Sequence, residues 1–365
     1  MAKVERDSNL ELLRIVSMVM IIFAHYAGHG GLIENTVGAN HVLGLLLKTG
    51  GKIGVICFVL ISTYFMSKQK FRSSALLKTI LQTIFYAFLV LGILAVSGHD
   101  IKLQALAGPV LCIVSGLYWF VTAYVGLYMF QPVLKTCTDH LSEKRSAVFL
   151  TIMFITLDIL AFPFGANGFI SSNFVFFMFL FFVGAHLRNH QMKIRIIDKV
   201  PAVVYVVSVM CIVCGTMVLE YVFKHHGDET NDHVFMLYEI NSPFVLFGGM
   251  SLFWMFKKIP VFRSKLIDRI ASNMFGVYLL HDNPNIRSIL WHDILRIDGV
   301  YDENTLMVVL HVLLCAVIIV AAASVIESVR RVIERLIFDT SAVKKLCSRI
   351  DGMALVDSAS GEESI

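Results

Sequence analysis

Three ionisable residues interrupt an otherwise apolar stretch, Leu10–Gly28 (LELLRIVSMVMIIFAHYAG): Glu11, Arg14 and His25. The stretch is long enough to cross a bilayer, since about 20 residues at 1.5 Å rise cover a ~30 Å hydrocarbon core. Ionisable groups inside a span are costly, and their default reading is functional. Arg14 and His25 are eleven residues apart, three helical turns plus about 20°, so they share one face at a separation of roughly 16 Å. Glu11 lies one turn before Arg14 on nearly the same face and can pair with it. The arrangement offers a cation at one depth and, at another, an imidazole that titrates near neutral pH and suits general-base work. The competing reading has Arg14 snorkelling to the headgroups and His25 capping the far end. It leaves the shared face unexplained.

An arginine, ten residues, then a histidine on the first membrane helix resembles the acyltransferase-3 family of integral-membrane acyltransferases. Further segments are similar to that family in order: ISTYF (Ile61–Phe65), LYWFVTAYVGLYMFQP (Leu117–Pro132) and ASNMFGVYLLH (Ala271–His281). The resemblance runs from about Asn9 to about Ile326. Two positions depart from it. Thr63 stands where a glycine is usual, and the family's Arg-x-x-Arg pair is here Gln69-x-x-Arg72, flanked by Lys68 and Lys70.

The resemblance implies transfer of an acyl group, most simply acetyl, from cytosolic acyl-CoA to a hydroxyl of a lipid-linked or cell-surface glycan. That chemistry needs cations for the CoA phosphates, a base for the hydroxyl and donors for the oxyanion. His25 is the expected base. Arg14, Arg72, Lys68 and Lys70 are the expected donor-site cations, Arg suiting bidentate and Lys point-charge phosphate contacts. Tyr118, Trp119 and Tyr128 would line the cavity, or form an interfacial aromatic belt. His281, at similar depth to His25, would line the acceptor entrance or cap its helix. Glu11 is about 20 Å from His25 along the helix, so an orienting carboxylate must come from another span: Asp158, Glu220, Glu239 or Asp282. No bound cofactor and no metal are expected; acetyl-CoA or another acyl-CoA is a co-substrate, and the glycan and membrane lipids are the other partners. A transporter or flippase for a glycan or anionic metabolite is the alternative, because it too places Arg and His on one cavity face.

The elements that must position these groups are all helical. The chain has 365 residues, 57% hydrophobic and 16% charged, with a mean hydropathy of +0.74, which describes a polytopic all-α membrane protein. Ten spans are expected, near residues 10–28, 49–66, 75–97, 117–134, 147–164, 170–187, 200–222, 236–256, 268–284 and 305–327. With the N-terminus in the cytosol, twenty-three of the 31 Lys and Arg residues fall in cytosolic segments and five outside. The positive-inside rule therefore puts both termini in the cytosol of a multi-pass protein, expected in a bacterial plasma membrane. The first span has no cleavage site promptly after it and reads as an uncleaved anchor. Residues 1–330 form the expected membrane domain, and 331–365 a cytosolic, partly disordered tail whose end, Asp351–Ile365, is small, polar and acidic.

Other features are weaker. Leu103–Gly116 reads as an interfacial or re-entrant piece. Cys211 and Cys214 lie within an apolar helix and read as packing residues. His225, His226 and His233 lack tight ligand spacing for a metal. Lys52, just past Gly50-Gly51, reads as a snorkelling anchor. Basic residues are scattered over short loops, which argues against a nucleic-acid surface.

Overall fold

A computed structural model describes residues 7–98, 107–113, 115–162, 172–190, 194–227 and 232–355. Regular structure among them is helical throughout. The order is α1 (Ser8–Gly28), α2 (Leu32–Asn35), α3 (Gly38–Met66), α4 (Ser73–Val96), α5 (Ala107–Val110), α6 (Trp119–Asp139) and α7 (Glu143–Phe154), which runs on as a π-helical turn, Ile155–Leu160. Then come α8 (Asn173–Asn189), α9 (Arg195–Lys199), α10 (Pro201–His225), α11 (Pro243–Lys258), α12 (Lys265–Ala271), α13 (Met274–His281), α14 (Thr305–Phe338) and α15 (Ser341–Leu355).

Five of these helices are long and apolar enough to cross a membrane: α1, α3, α4, α10 and α14. Most of the other expected spans are shorter or broken. The expected 268–284 span is two short helices, α12 and α13, with a break at Ser272-Asn273. Conversely, the expected 49–66 span is the second part of a longer helix that begins at Gly38. Residues 99–106, 114 and 228–231, which include part of the Leu103–Gly116 segment, lie outside the described residues.

The helix ends gather on two faces. On one, the N-terminus of α1 meets the α11–α12 loop: Ser8 donates to Asp268, and the Asn9 amide donates to the carbonyls of Phe256 and Ile259. The start of α4 lies on this face, with α15 folded against it. The Ser73 N–H donates to Asp351 at 2.7 Å, and its hydroxyl donates to the Cys347 carbonyl at 3.1 Å. Both described ends of the chain thus lie on one face. Asp351–Leu355, read from composition as unstructured, is the last turn of α15, and residues 356–365 lie outside the described set.

The tightest seam joins α1 to α3. A Cβ added at Gly50 would come 2.7 Å from the Met20 carbonyl oxygen, one at Gly51 2.9 Å from Ala24 Cβ, and one at Gly54 2.6 Å from the Ser17 carbonyl oxygen. Small residues at i and i+4 let two backbones approach, the usual way helices associate where lipid removes the hydrophobic drive. A similar close approach accommodates Thr63. Its hydroxyl donates to the Leu180 carbonyl at 3.2 Å, and the room comes from Gly184 on α8, whose Cβ would lie 2.3 Å from that hydroxyl. The small residue of this contact is on the facing helix.

A buried ionic cluster ties α4, α13 and α14. Glu327, fully buried, accepts from Gln82 at 2.7 Å, Tyr86 at 3.0 Å and Arg330 at 3.0 Å. Arg330 also pairs with Glu334, which Lys78 reaches at 2.8 Å. Arg331 donates to Asn273 and Ser272 and so pins the α12–α13 break. Gly276 leaves room for the cluster: a Cβ there would sit 2.5 Å from both the Glu327 carboxylate and the Tyr86 hydroxyl and would push them aside.

Candidate active site

His25 stands one turn from the C-terminal end of α1, where three other elements converge. Its Nδ1 lies 3.0 Å from Nε2 of His281, the last residue of α13. Asp282 follows immediately, with Oδ1 3.7 Å from His25 Nδ1, 3.5 Å from His29 Nε2 and 3.9 Å from Arg287 Nη1. Of the four carboxylates offered by the sequence, Asp282 is the one brought to His25. Glu239 lines the same cavity. Glu220 is engaged by His41 at 3.1 Å, and Asp158 is buried in the π-helical turn after α7.

The hydrogen bonds assign the tautomers. His281 Nδ1 is 2.6 Å from the Val277 carbonyl, which can only accept, so that nitrogen carries the proton. A neutral His281 then has its lone pair on Nε2, and His25 Nδ1–H must donate to it. The proton-free nitrogen of His25 is therefore Nε2, which makes no hydrogen bond among the described residues. This is the state a general base needs. The other ring nitrogen is fixed by an acceptor, the usual way an imidazole is held in register.

His25 forms part of the wall of a cavity of about 540 Å³, within the size range of small-molecule sites. α1, α3, the turn before α6, the 3₁₀ segment Asp232–Tyr238 and the end of α13 contribute to it. The α1–α3 glycine seam sets its floor. By bringing Gly51 onto Ala24, it puts the next residue, Lys52, level with His25. Lys52 lies in the cavity wall with its ammonium 4.1 Å from the Trp119 ring centre, and Lys48 lies 4.0 Å from that of Phe235. The sequence suggests an anchor for Lys52; the available signal was its i, i+4 spacing from Lys48, which puts the two lysines on one face of α3.

The remaining expected site residues divide. Trp119 lines the cavity, whereas Tyr118 is a buried strut: its hydroxyl donates to the Leu279 carbonyl at 2.8 Å and accepts from Asn283 at 2.7 Å, holding the end of α13 in place. Tyr128 is on the opposite face, donating to the Arg72 carbonyl at 3.2 Å. Arg14 pairs with Glu11 at 3.3 Å, as their spacing allows, and stacks 5.6 Å from the Phe58 ring centre. It does not line the His25 cavity. Lys68, Lys70 and Arg72 are exposed at the α3–α4 turn. Arg188 joins that face, donating to the Tyr64 hydroxyl at 3.0 Å with its guanidinium 4.7 Å above the same ring. His25, His29 and Asp282 have donor atoms within 4.8 Å of one another, a spacing that could hold a metal ion. The Arg287 guanidinium already sets a positive charge beside that carboxylate.

A family model described as an acyltransferase domain matches residues 7–327, nearly the whole chain. The chain belongs to the acyltransferase-3 family. No curated protein and no solved structure matches it. With its apolar helices, the family membership makes the protein a multi-pass membrane acyltransferase in general terms. The match ends four residues after Ala323, within α14 and at Glu327 itself, so the α4–α13–α14 cluster is reached by the family domain while α15 lies beyond it.

Proposed function

We propose that the protein moves an acyl group, most simply acetyl, from acyl-CoA to a hydroxyl of a lipid-linked or cell-surface glycan, with His25 as general base. The observation that carries this reading is the His25 imidazole, fixed by His281 with its Nε2 lone pair free, in the wall of a cavity large enough for a sugar. His25 Nε2 takes the proton of the acceptor hydroxyl as that oxygen attacks the thioester carbonyl. Collapse of the tetrahedral intermediate breaks the carbon–sulfur bond, and the departing thiolate takes the proton back from the imidazolium. The products are an ester and free CoA. Asp282 stabilises the transient imidazolium, being 3.7 Å from Nδ1.

The donor-site assignment rests on position. Lys68, Lys70, Arg72 and Arg188 collect on the face opposite His25, and Arg14 lies between the two levels, roughly 16 Å from His25 along α1. A CoA held by its phosphates on that face would send its neutral pantetheine arm inward past Arg14. The test is equilibrium binding of acetyl-CoA to the purified protein in detergent. Arg14→Ala and Arg72→Ala should each weaken binding tenfold or more, about 1.4 kcal/mol. Binding left unchanged by both would remove the proposed donor site, and glycan uptake by proteoliposomes without any acyl donor would favour transport instead.

A further inference from the structure

The cavity holds two cations that the proposed chemistry does not use. Lys48 and Lys52 are one turn apart on α3 and both face the cavity. Like charges at this spacing repel, and placing two ammonium groups beside apolar side chains in a membrane helix is costly. Neither is ion-paired among the described residues. They rest instead on aromatic faces, Lys52 on Trp119 at 4.1 Å, Lys48 on Phe235 at 4.0 Å and on Tyr238 at 5.7 Å. The carboxylates of the cavity do not answer them. Asp282 is held by His29 and Arg287, and the carboxylates that act on the lysines, Glu34 and Glu239 on Lys48 and Glu239 and Asp282 on Lys52, do so from beyond ion-pairing distance. Neither ammonium has a carboxylate in direct contact, and both stand in the wall of the cavity that holds His25.

We propose that Lys48 and Lys52 form an anion subsite for the acceptor, so that the sugar acylated here carries an acidic group, a carboxylate or a phosphate ester, next to the reacting hydroxyl. This deepens the acyltransferase reading and rests on it for the word acceptor. The donor does not account for the subsite. CoA carries its charge at the nucleotide end and presents a neutral thioester at the other. Lys52 and Lys68 are sixteen residues apart on one helix and its end, about 24 Å, so phosphates held at the Lys68–Arg72 turn do not also reach Lys52. The geometry has a further consequence: binding an anion releases both ammonium groups from the aromatic faces, which become free to stack against the sugar ring.

The test uses the full-length protein in detergent and three radiolabelled probes in equilibrium dialysis: methyl glucoside, methyl glucuronide and glucose 1-phosphate. The subsite predicts that at least one anionic probe binds tenfold or more tighter than the neutral glucoside; which one does so separates a carboxylate from a phosphate ester. The double variant Lys48→Gln/Lys52→Gln should abolish the preference, Lys48→Arg/Lys52→Arg should keep it, and acetyl-CoA affinity should stay within twofold in both. Equal binding of all three probes by the parent protein overturns the proposal, whatever the variants do. So does a loss of acetyl-CoA affinity in the Gln variant with the sugar preference intact, which would assign the lysines to the donor. Anion preference in a protein that neither binds nor turns over acetyl-CoA would sink the acyltransferase reading and leave the anion subsite standing.

Discussion

Replacing His281 with leucine separates the orienting of His25 from the binding of substrates. In the parent protein His25 Nδ1–H has a 3.0 Å acceptor in His281. Without it, the neighbouring Asp282 Oδ1 is 3.7 Å away, beyond hydrogen-bonding range. The imidazole then loses the bond that selects its tautomer and sets its plane, and a share of molecules present N–H rather than a lone pair to the acceptor hydroxyl. One neutral hydrogen bond is worth about 0.5–1.5 kcal/mol, and removing a group that orients a functional histidine typically costs 10–100-fold. Because His281 makes its contacts with His25 and with its own helix, the loss should fall on kcat. The expected result is a 10–100-fold drop in kcat for transfer of radiolabelled acetyl from acetyl-CoA, with KM for acetyl-CoA within twofold. An unchanged kcat, or a loss confined to KM, would refute the tautomer argument.

Three further outcomes follow from the packing. Gly54→Leu should separate α1 from α3, since even a Cβ there lies 2.6 Å from the Ser17 carbonyl; overpacking of this kind costs about 1–3 kcal/mol, read as a lower melting temperature in detergent. Glu327→Ala strands part of a buried network and should be the more damaging change, up to about 3–5 kcal/mol, moderated because Arg330 keeps Glu334; a melting temperature unchanged in detergent would contradict the cluster's role. Cys214 is exposed on the surface of the apolar helix α10, and Cys137 near the end of α6. A maleimide given access to both faces of permeabilised vesicles should therefore label Cys137 and spare Cys214, whereas labelling of Cys214 would place that surface in water.

The contrast between what the sequence disclosed and what it hid is physical. The Arg14–His25 face follows from helical period alone, and the ordered motifs carry the family. The partner of His25 was hidden because His281 is distant in sequence, and nothing local to either residue names the other. Asp282 could not be separated from Asp158, Glu220 and Glu239 for the same reason. Lys52 was misread because a lysine near a glycine pair has the composition of a span's end, while the helix continues through it from Gly38. The even run of ten spans smoothed over the α12–α13 break, since hydropathy does not register a turn pinned by Arg331. How Thr63 is accommodated was hidden because the glycine that makes room for it, Gly184, lies on another helix.

The most direct test of the central claim compares parent and His25→Ala protein, reconstituted with glycan-bearing membrane lipid, for transfer of radiolabelled acetyl from acetyl-CoA, with acetyl-CoA binding measured on the same preparations. The account predicts transfer by the parent and a loss of 10²-fold or more in the variant, the range for removing a general base, at unchanged acetyl-CoA affinity. Transfer by His25→Ala at the parent rate would contradict it.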